Sequence, residues 1–388
     1  MRDLFRLWPF RSPAIGQRRI LVIDDHLPDQ SIGSGVPRAI EFLRALSAAG
    51  AEVVMWPVHD VLGGRFDHVV PHGAAVVYDQ RGGLKRFLAR KRKSFDCIII
   101  SRPHNMRMFL RVMNEFRKPA VSAMVVYDAE ALFAEREIIM RKVLGAPLAD
   151  HDARRQIEEE MKLSAEADIV LTVNAHTSEM FRAAGHRDVR ILGYAVALRA
   201  LPEPFDGRSG FLFVGPTRAD GEPNSDAVVW FVDRVLPRLR SELGGGVSLT
   251  LVGMTGSCSV LARNGLGLDA LGAMPDLAPV YSHARVFVAP IRFAAGIAIK
   301  VYDAAAHGIP TVITPILARG LGWTHDVETL VAETPDDFAV ACLRLHGDRN
   351  LWERIRSAAL SRVEKDCSVV QFDRMVADLV SGIATHRP

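Results

Sequence analysis

Apolar residues along this 388-residue chain fall into short runs, each followed by a polar stretch with apolar positions at helical spacing, and the alternation persists throughout. Strand-like runs occur at residues 20–23, 53–56, 75–77, 97–100, 120–126 and 169–173, with a helix expected over 39–48. A second series follows at 210–214, 248–252, 286–289, 310–313 and 329–331, separated by helical patterns over 226–240, 303–307 and 335–345. Runs that are apolar throughout suit strands buried on both faces, and their alternation with helices implies parallel sheets with helices on either side. The pattern therefore predicts an α/β protein of two Rossmann-like, doubly wound domains facing a central cleft. Residues 199–210, rich in Pro, Gly and charge, form the expected linker between a domain at 20–198 and one at 211–370. A last helical stretch over 371–382, within a C-terminal segment 371–388, is expected to cross back to the first domain.

One stretch of this pattern carries chemistry. Residues 286–314 read as strand, glycine loop, helix, Gly-Pro turn and strand, with Gly296 opening the loop and a helix over 297–306. A helix starting where a strand ends offers unpaired N–H groups and the positive end of its dipole to an anion, so Gly296, Ile297 and Ala298 are candidate phosphate contacts. Lys300 falls in the first turn. An ammonium opposes the dipole there, which makes physical sense when a diphosphate sits between them. Arg218 follows the strand at 210–214 and is a candidate second cation, its guanidinium suited to bidentate phosphate contact.

Length suits two cores. A net charge of +3 gives no reason to expect nucleic acid as a partner. No apolar run approaches the roughly 18–20 residues that span a bilayer. Cys97, Cys258, Cys342 and Cys367 are scattered without a CxxC pair, which indicates neither zinc nor a disulfide framework and fits a reducing cytoplasm. Residues 1–19 combine five arginines with Leu, Phe and Trp, a composition open to contact with an anionic membrane surface or to a leader without fixed structure.

Gly33 and Gly35 do not follow the first strand directly, Arg38 stands where a third glycine would be needed, and Trp56-Pro57 replaces the ribose-binding acid. A dinucleotide fingerprint, and with it an oxidoreductase, is thereby disfavoured.

Residues 286–314 resemble the donor-site signature of GT-B glycosyltransferases of family 4, or group 1, which are retaining enzymes. Residues 211–236 are similar to the start of that family's C-terminal domain, 271–281 to its base-binding turn, and 20–53 to its first strand, glycine loop and first helix. The resemblance implies that Asp303 hydrogen-bonds the ribose of a nucleotide sugar and that Gly253 and Met274 approach the nucleotide through backbone. It places the Gly33–Gly35 loop near the donor phosphates, with Arg38 as a further contact. Two positions depart from the family: Ala295 replaces a glutamate, and Arg319 stands where an acid is usual.

His104 and the pair Asp128 and Glu130 follow strands whose ends should face the cleft. In the glycosyltransferase reading they lie near the acceptor hydroxyl, as orienting groups or base. A helix-capping histidine and a solvated acidic helix face are the structural alternatives. The resemblance implies a cytoplasmic enzyme that moves a sugar from a nucleotide diphosphate donor to a glycan or lipid-linked saccharide. It needs no metal or other cofactor, and it sits at the inner face of the membrane if residues 1–19 bind there. A silent glycan-binding protein and a sugar-nucleotide epimerase are the alternatives.

Overall fold

The computed structural model describes residues 17–27, 36–59, 74–76, 83–116, 122–199 and 203–385. The N-terminal domain runs β1 (Arg19–Asp24), α1 (Val36–Ala48), β2 (Glu52–Pro57), β3 (Ala75–Val76), α2 (Gly83–Lys91), β4 (Cys97–Ser101), α3 (Pro103–Asn114) and β5 (Met124–Glu130). It continues through α4 (Phe133–Val143), α5 (Asp150–Met161), β6 (Ile169–Thr172), α6 (Ala175–Ala183) and β7 (Val189–Ile191). The C-terminal domain runs β8 (Ser209–Val214), α7 (Pro223–Trp230), α8 (Leu236–Leu243), β9 (Leu249–Val252), α9 (Cys258–Leu261), β10 (Leu268–Ala270), α10 (Ala278–His283) and β11 (Ala284–Ala289). Then follow α11 (Ile299–Ala306), β12 (Thr311–Ile313), α12 (Pro315–Leu321), β13 (Leu330–Val331), α13 (Pro335–Gly347), α14 (Arg349–Asp366) and α15 (Val369–Thr385). A π-helical turn, Phe231–Val235, interrupts the helix expected over 226–240.

Both sheets are parallel and share one winding. The first is ordered β3-β2-β1-β4-β5-β6-β7 and the second β10-β9-β8-β11-β12-β13. In each, the chain reverses its direction of travel beside the first strand, so crevices open at the carboxyl ends between β1 and β4 and between β8 and β11. The period of two sorts the N-terminal core. Ile20, Val22, Cys97, Ile99 and Val126 pack against α1 on one face, while Leu21, Ile23, Ile98, Ile100 and Tyr127 pack on the other.

The last helix crosses back to the first domain. Phe372, Val376, Leu379, Val380 and Ile383 of α15 recur at helical spacing and share a core with Phe42, Leu43 and Leu46 of α1. Arg44 of α1 pairs with Asp373. The short edge strands β7 and β10 are each interrupted by a charged residue, Arg190 and Asp269, and the pattern of the sequence misses them. Part of the expected linker is not loose: Arg208 is buried and donates to the carbonyls of Tyr281, Ala284 and His307.

Among the described residues no helix is long and apolar enough to cross a membrane. The membrane-contact segment 1–19 lies almost wholly outside them, and Gly33 and Gly35 lie outside them too.

Candidate functional site

The crevice between β8 and β11 gathers most of the expected donor contacts. Past β8 the chain turns at Gly215, past β9 at Gly253, and the two turns touch. A Cβ at Gly253 would lie 2.3 Å from the Gly215 carbonyl oxygen, at a φ of +147° that side chains rarely adopt. Gly253 N–H in turn donates to the carbonyl of Gly272, bringing the segment that holds Met274 to the same end of the sheet.

Lys300, one residue into α11, reaches under this arch. Its ammonium donates to Asn224 Oδ1 at 2.5 Å and lies 4.1 Å from the centre of the Phe213 ring. Asn224 Nδ2 donates to the Pro216 carbonyl, so one amide fixes both the loop and the lysine. Among the described residues no carboxylate pairs with Lys300, and burial pushes its pKa down to about 7. The site therefore holds a cation short of a counter-charge. Arg218 is exposed on the same loop, where its backbone N–H donates to Glu222.

Asp303, one turn beyond Lys300, is occupied. It accepts from Tyr194 Oη at 3.0 Å, across the junction between the domains. Burial raises its pKa to about 7, and the tyrosine bond opposes that rise.

The second crevice, between β1 and β4, holds a dense charge cluster. Arg102 contacts Asp24 at 3.2 Å, Asp25 at 2.5 Å and Glu130 at 3.3 Å. Both Arg102 (φ 75°) and Glu130 (φ 52°) hold left-handed backbone angles, a strain that side chains sustain only where their contacts over-determine it. Burial raises Asp24 to about 7 and pushes Glu130 upward, with Arg102 opposing both. Burial pushes Asp25 up as well, but bonds from His104 and Asn105 and the Arg102 charge outweigh it and hold this carboxyl well below the usual range. His104 Nε2 lies 2.5 Å from Asp25 Oδ1, and its ring remains 43% exposed.

Two expectations change at this cluster. Asp128 does not face the cleft: β5 extends through it, its side chain falls on the same face as Val126, and it is 1% exposed. Both its oxygens accept from Arg38, at 2.8 and 3.0 Å. That pairing also removes Arg38 from the expected phosphate contacts, since its Nε donates to the Leu192 carbonyl inside the domain. Asp24 and Asp25, adjacent in sequence, both reach Arg102 because the strand ends at Asp24.

The two crevices meet at Gly296. A Cβ there, at φ +87°, would stand 3.3 Å from Ala131 Cβ, and the Gly296 carbonyl accepts from Asn174 Nδ2 at 3.4 Å. Ile297 packs on the C-terminal core and Ala298 is the residue preceding α11. Asn224, Phe213, Tyr194 and Asn174 escaped the sequence reading. Asn224, beside Pro223 at a helix start, carried the clearest signal of the four.

Among the described residues no group of three or more His, Cys, Asp or Glu is placed to hold a metal ion.

Residues 208–348 match the family described as glycosyl transferases group 1. No curated protein sequence matches the chain. Among solved structures, sucrose-phosphate synthase from Thermosynechococcus elongatus is similar at 15% identity and a TM-score of 0.71, over 95% of this chain and 100% of that one. HepE from Anabaena, solved with UDP and glucose, is similar at 14% identity and a TM-score of 0.64, over 94% and 100%. Trehalose-6-phosphate synthase OtsA follows at 13% and 0.60, over 95% and 100%. At these identities the likeness is one of fold.

Proposed function

We propose that this chain, which has the GT-B fold and matches the group 1 glycosyl transferases over residues 208–348, is a retaining transferase that takes a sugar from a nucleotide diphosphate donor. One observation carries this reading: Lys300 lies at the β8–β11 crevice with no counter-charge among the described residues, beside backbone that glycines keep open. The titles of the HepE structures, which name UDP and UDP-glucose, support the same donor class.

In the proposed reaction the anomeric carbon–oxygen bond to the diphosphate breaks as the acceptor oxygen approaches on the same face, and the acceptor hydroxyl's proton passes to the departing phosphate oxygen. Negative charge develops on the leaving phosphate, and in this reading Lys300, Arg218 and the first N–H groups of α11 stabilise it. These groups supply the positive charge, so the proposal calls on no metal or cofactor. Of the three polar groups expected near the acceptor, His104 alone keeps an exposed ring; Asp25 fixes its orientation, Glu130 is held by Arg102, and Asp128 serves structure. The acceptor is a glycan or lipid-linked saccharide, and the setting is the synthesis of a cell-surface polysaccharide or glycoconjugate on the cytoplasmic side of a membrane.

Titration calorimetry with UDP, GDP and their sugars tests the donor site. Binding to one base, lost in Lys300→Ala, is the expected result. A folded protein that binds none of them would favour a silent glycan-binding role, the reading to which Ala295 in the cleft also points.

A further inference from the structure

We infer that the cleft contains a second anion site, built around Arg319, that receives a phosphate carried by the acceptor. A cavity of about 390 Å³ lies between the domains beneath α15, lined by Asn174, Tyr194, Ile297, Arg319, Lys365 and Phe372 among others. That volume falls within the roughly 300–1,000 Å³ of small-molecule sites. Its wall includes neither Lys300 nor the groups around it, Gly215, Asn224 and Phe213.

Charge selects the occupant. Arg362 in the wall is answered by Asp366 at 2.6 Å. Arg319 and Lys365 have no carboxylate or hydrogen-bond partner for their side chains among the described residues. Arg319 lies in the last turn of α12, where a guanidinium could satisfy the last carbonyls, yet among the described residues it bonds none of them. The cavity thus presents two uncompensated cations above apolar ground formed by Ile297 and Phe372, a pairing that suits a phosphate on a sugar or on a lipid.

Position ties this site to the reaction. Arg319 also lines the small cavity, about 40 Å³, around Ala295 and Gly296, where His176 pairs with Glu135 at 3.0 Å. It therefore stands where the larger cavity meets the loop that the donor phosphates would use. A cation here favours an acceptor that carries negative charge. The assignment to an acceptor rests on the transferase reading; the anion site does not.

The test uses the full chain at low salt, with glucose 6-phosphate, glucose and UDP as calorimetric probes. Sedimentation with vesicles of phosphatidylglycerol or phosphatidylcholine separates a lipid source from a soluble one. Arg319 is exposed and unpartnered, so Arg319→Ala should fold. If the phosphate is on a soluble sugar, glucose 6-phosphate binds and glucose does not, and Arg319→Ala weakens binding on the order of tenfold while Lys300→Ala preserves it. If it is on a lipid, phosphatidylglycerol vesicles retain the chain, phosphatidylcholine vesicles do not, and Arg319→Ala releases it. Binding of both probes unchanged in Arg319→Ala, or lost in Lys300→Ala, overturns the inference. Arg319-dependent binding without any UDP binding would uphold this site and sink the donor reading.

Discussion

Tyr194 Oη donates to Asp303 Oδ1 at 3.0 Å, so a residue of the segment joining the domains holds the carboxylate expected to meet the ribose. Burial keeps that carboxylate near neutrality in charge up to about pH 7, and the tyrosine bond works against burial. Removing the bond in Tyr194→Phe should raise the Asp303 pKa further. Nucleotide affinity should then fall off at higher pH on the acid side than in the natural protein. A UDP analogue lacking the 2′ and 3′ hydroxyls should show no such shift; the same shift with both nucleotides would mean that Asp303 does not contact ribose.

Lys300 imposes the opposite limb. Its pKa of about 7 in the free protein rises again when a diphosphate lies against it, so binding takes up a proton at and above neutrality. Affinity is fullest below about 7 and declines as pH rises, because the free protein releases a proton that the complex retains. Calorimetry in two buffers of different ionisation enthalpy should reveal the uptake. Lys300→Ala should abolish it and cost about 1.5–3 kcal/mol of binding. Proton uptake that persists in the variant would place the titrating group elsewhere.

Asp128 and Arg38 form a bidentate pair inside the first domain, with side chains only 2% and 3% exposed. Breaking such a pair strands a buried charge. Asp128→Ala should lower unfolding free energy by about 3–5 kcal/mol in urea titrations, and any activity that survives should scale with the folded fraction. A stable but inactive variant would restore Asp128 as a catalytic group.

Gly253→Ala tests the arch over Lys300. The added carbon would meet the Gly215 carbonyl oxygen at 2.3 Å, on a backbone angle that costs a side chain extra energy. Destabilisation of roughly 2 kcal/mol or more is expected, along with loss of nucleotide binding. Native stability and affinity in this variant would show that the two turns are not packed as described.

Much of this was legible because buried parallel strands leave an unbroken apolar signature, as at residues 97–100 and 286–289. Lys300 and Gly296 stood out for a similar reason: a cation and a glycine at a helix start each require a local explanation. Asp128 misled because an acid following Val126-Tyr127 looks like the end of a strand. Only the tertiary partner, Arg38 on a helix ninety positions away in the chain, shows why the strand continues through it. The roles of Asn224 and Tyr194 went unread on the same grounds, since their contacts with Lys300 and Asp303 span 76 and 109 positions.

The chain passes between its domains twice, once after β7 and once between α14 and α15, and at those crossings Val196 N–H donates to the Cys367 carbonyl at 3.1 Å. Two strands of backbone bonded side by side behave as a single pivot. Paired crossings of this kind are where a hinge that opens the domains as a clamshell would turn. The Arg319 cavity, whose wall includes Gly193, Tyr194 and Ser368, abuts that pivot. A ligand seated there acts at the short end of a lever, so a small displacement beside the pivot becomes a wide change of aperture at the far rim of the cleft.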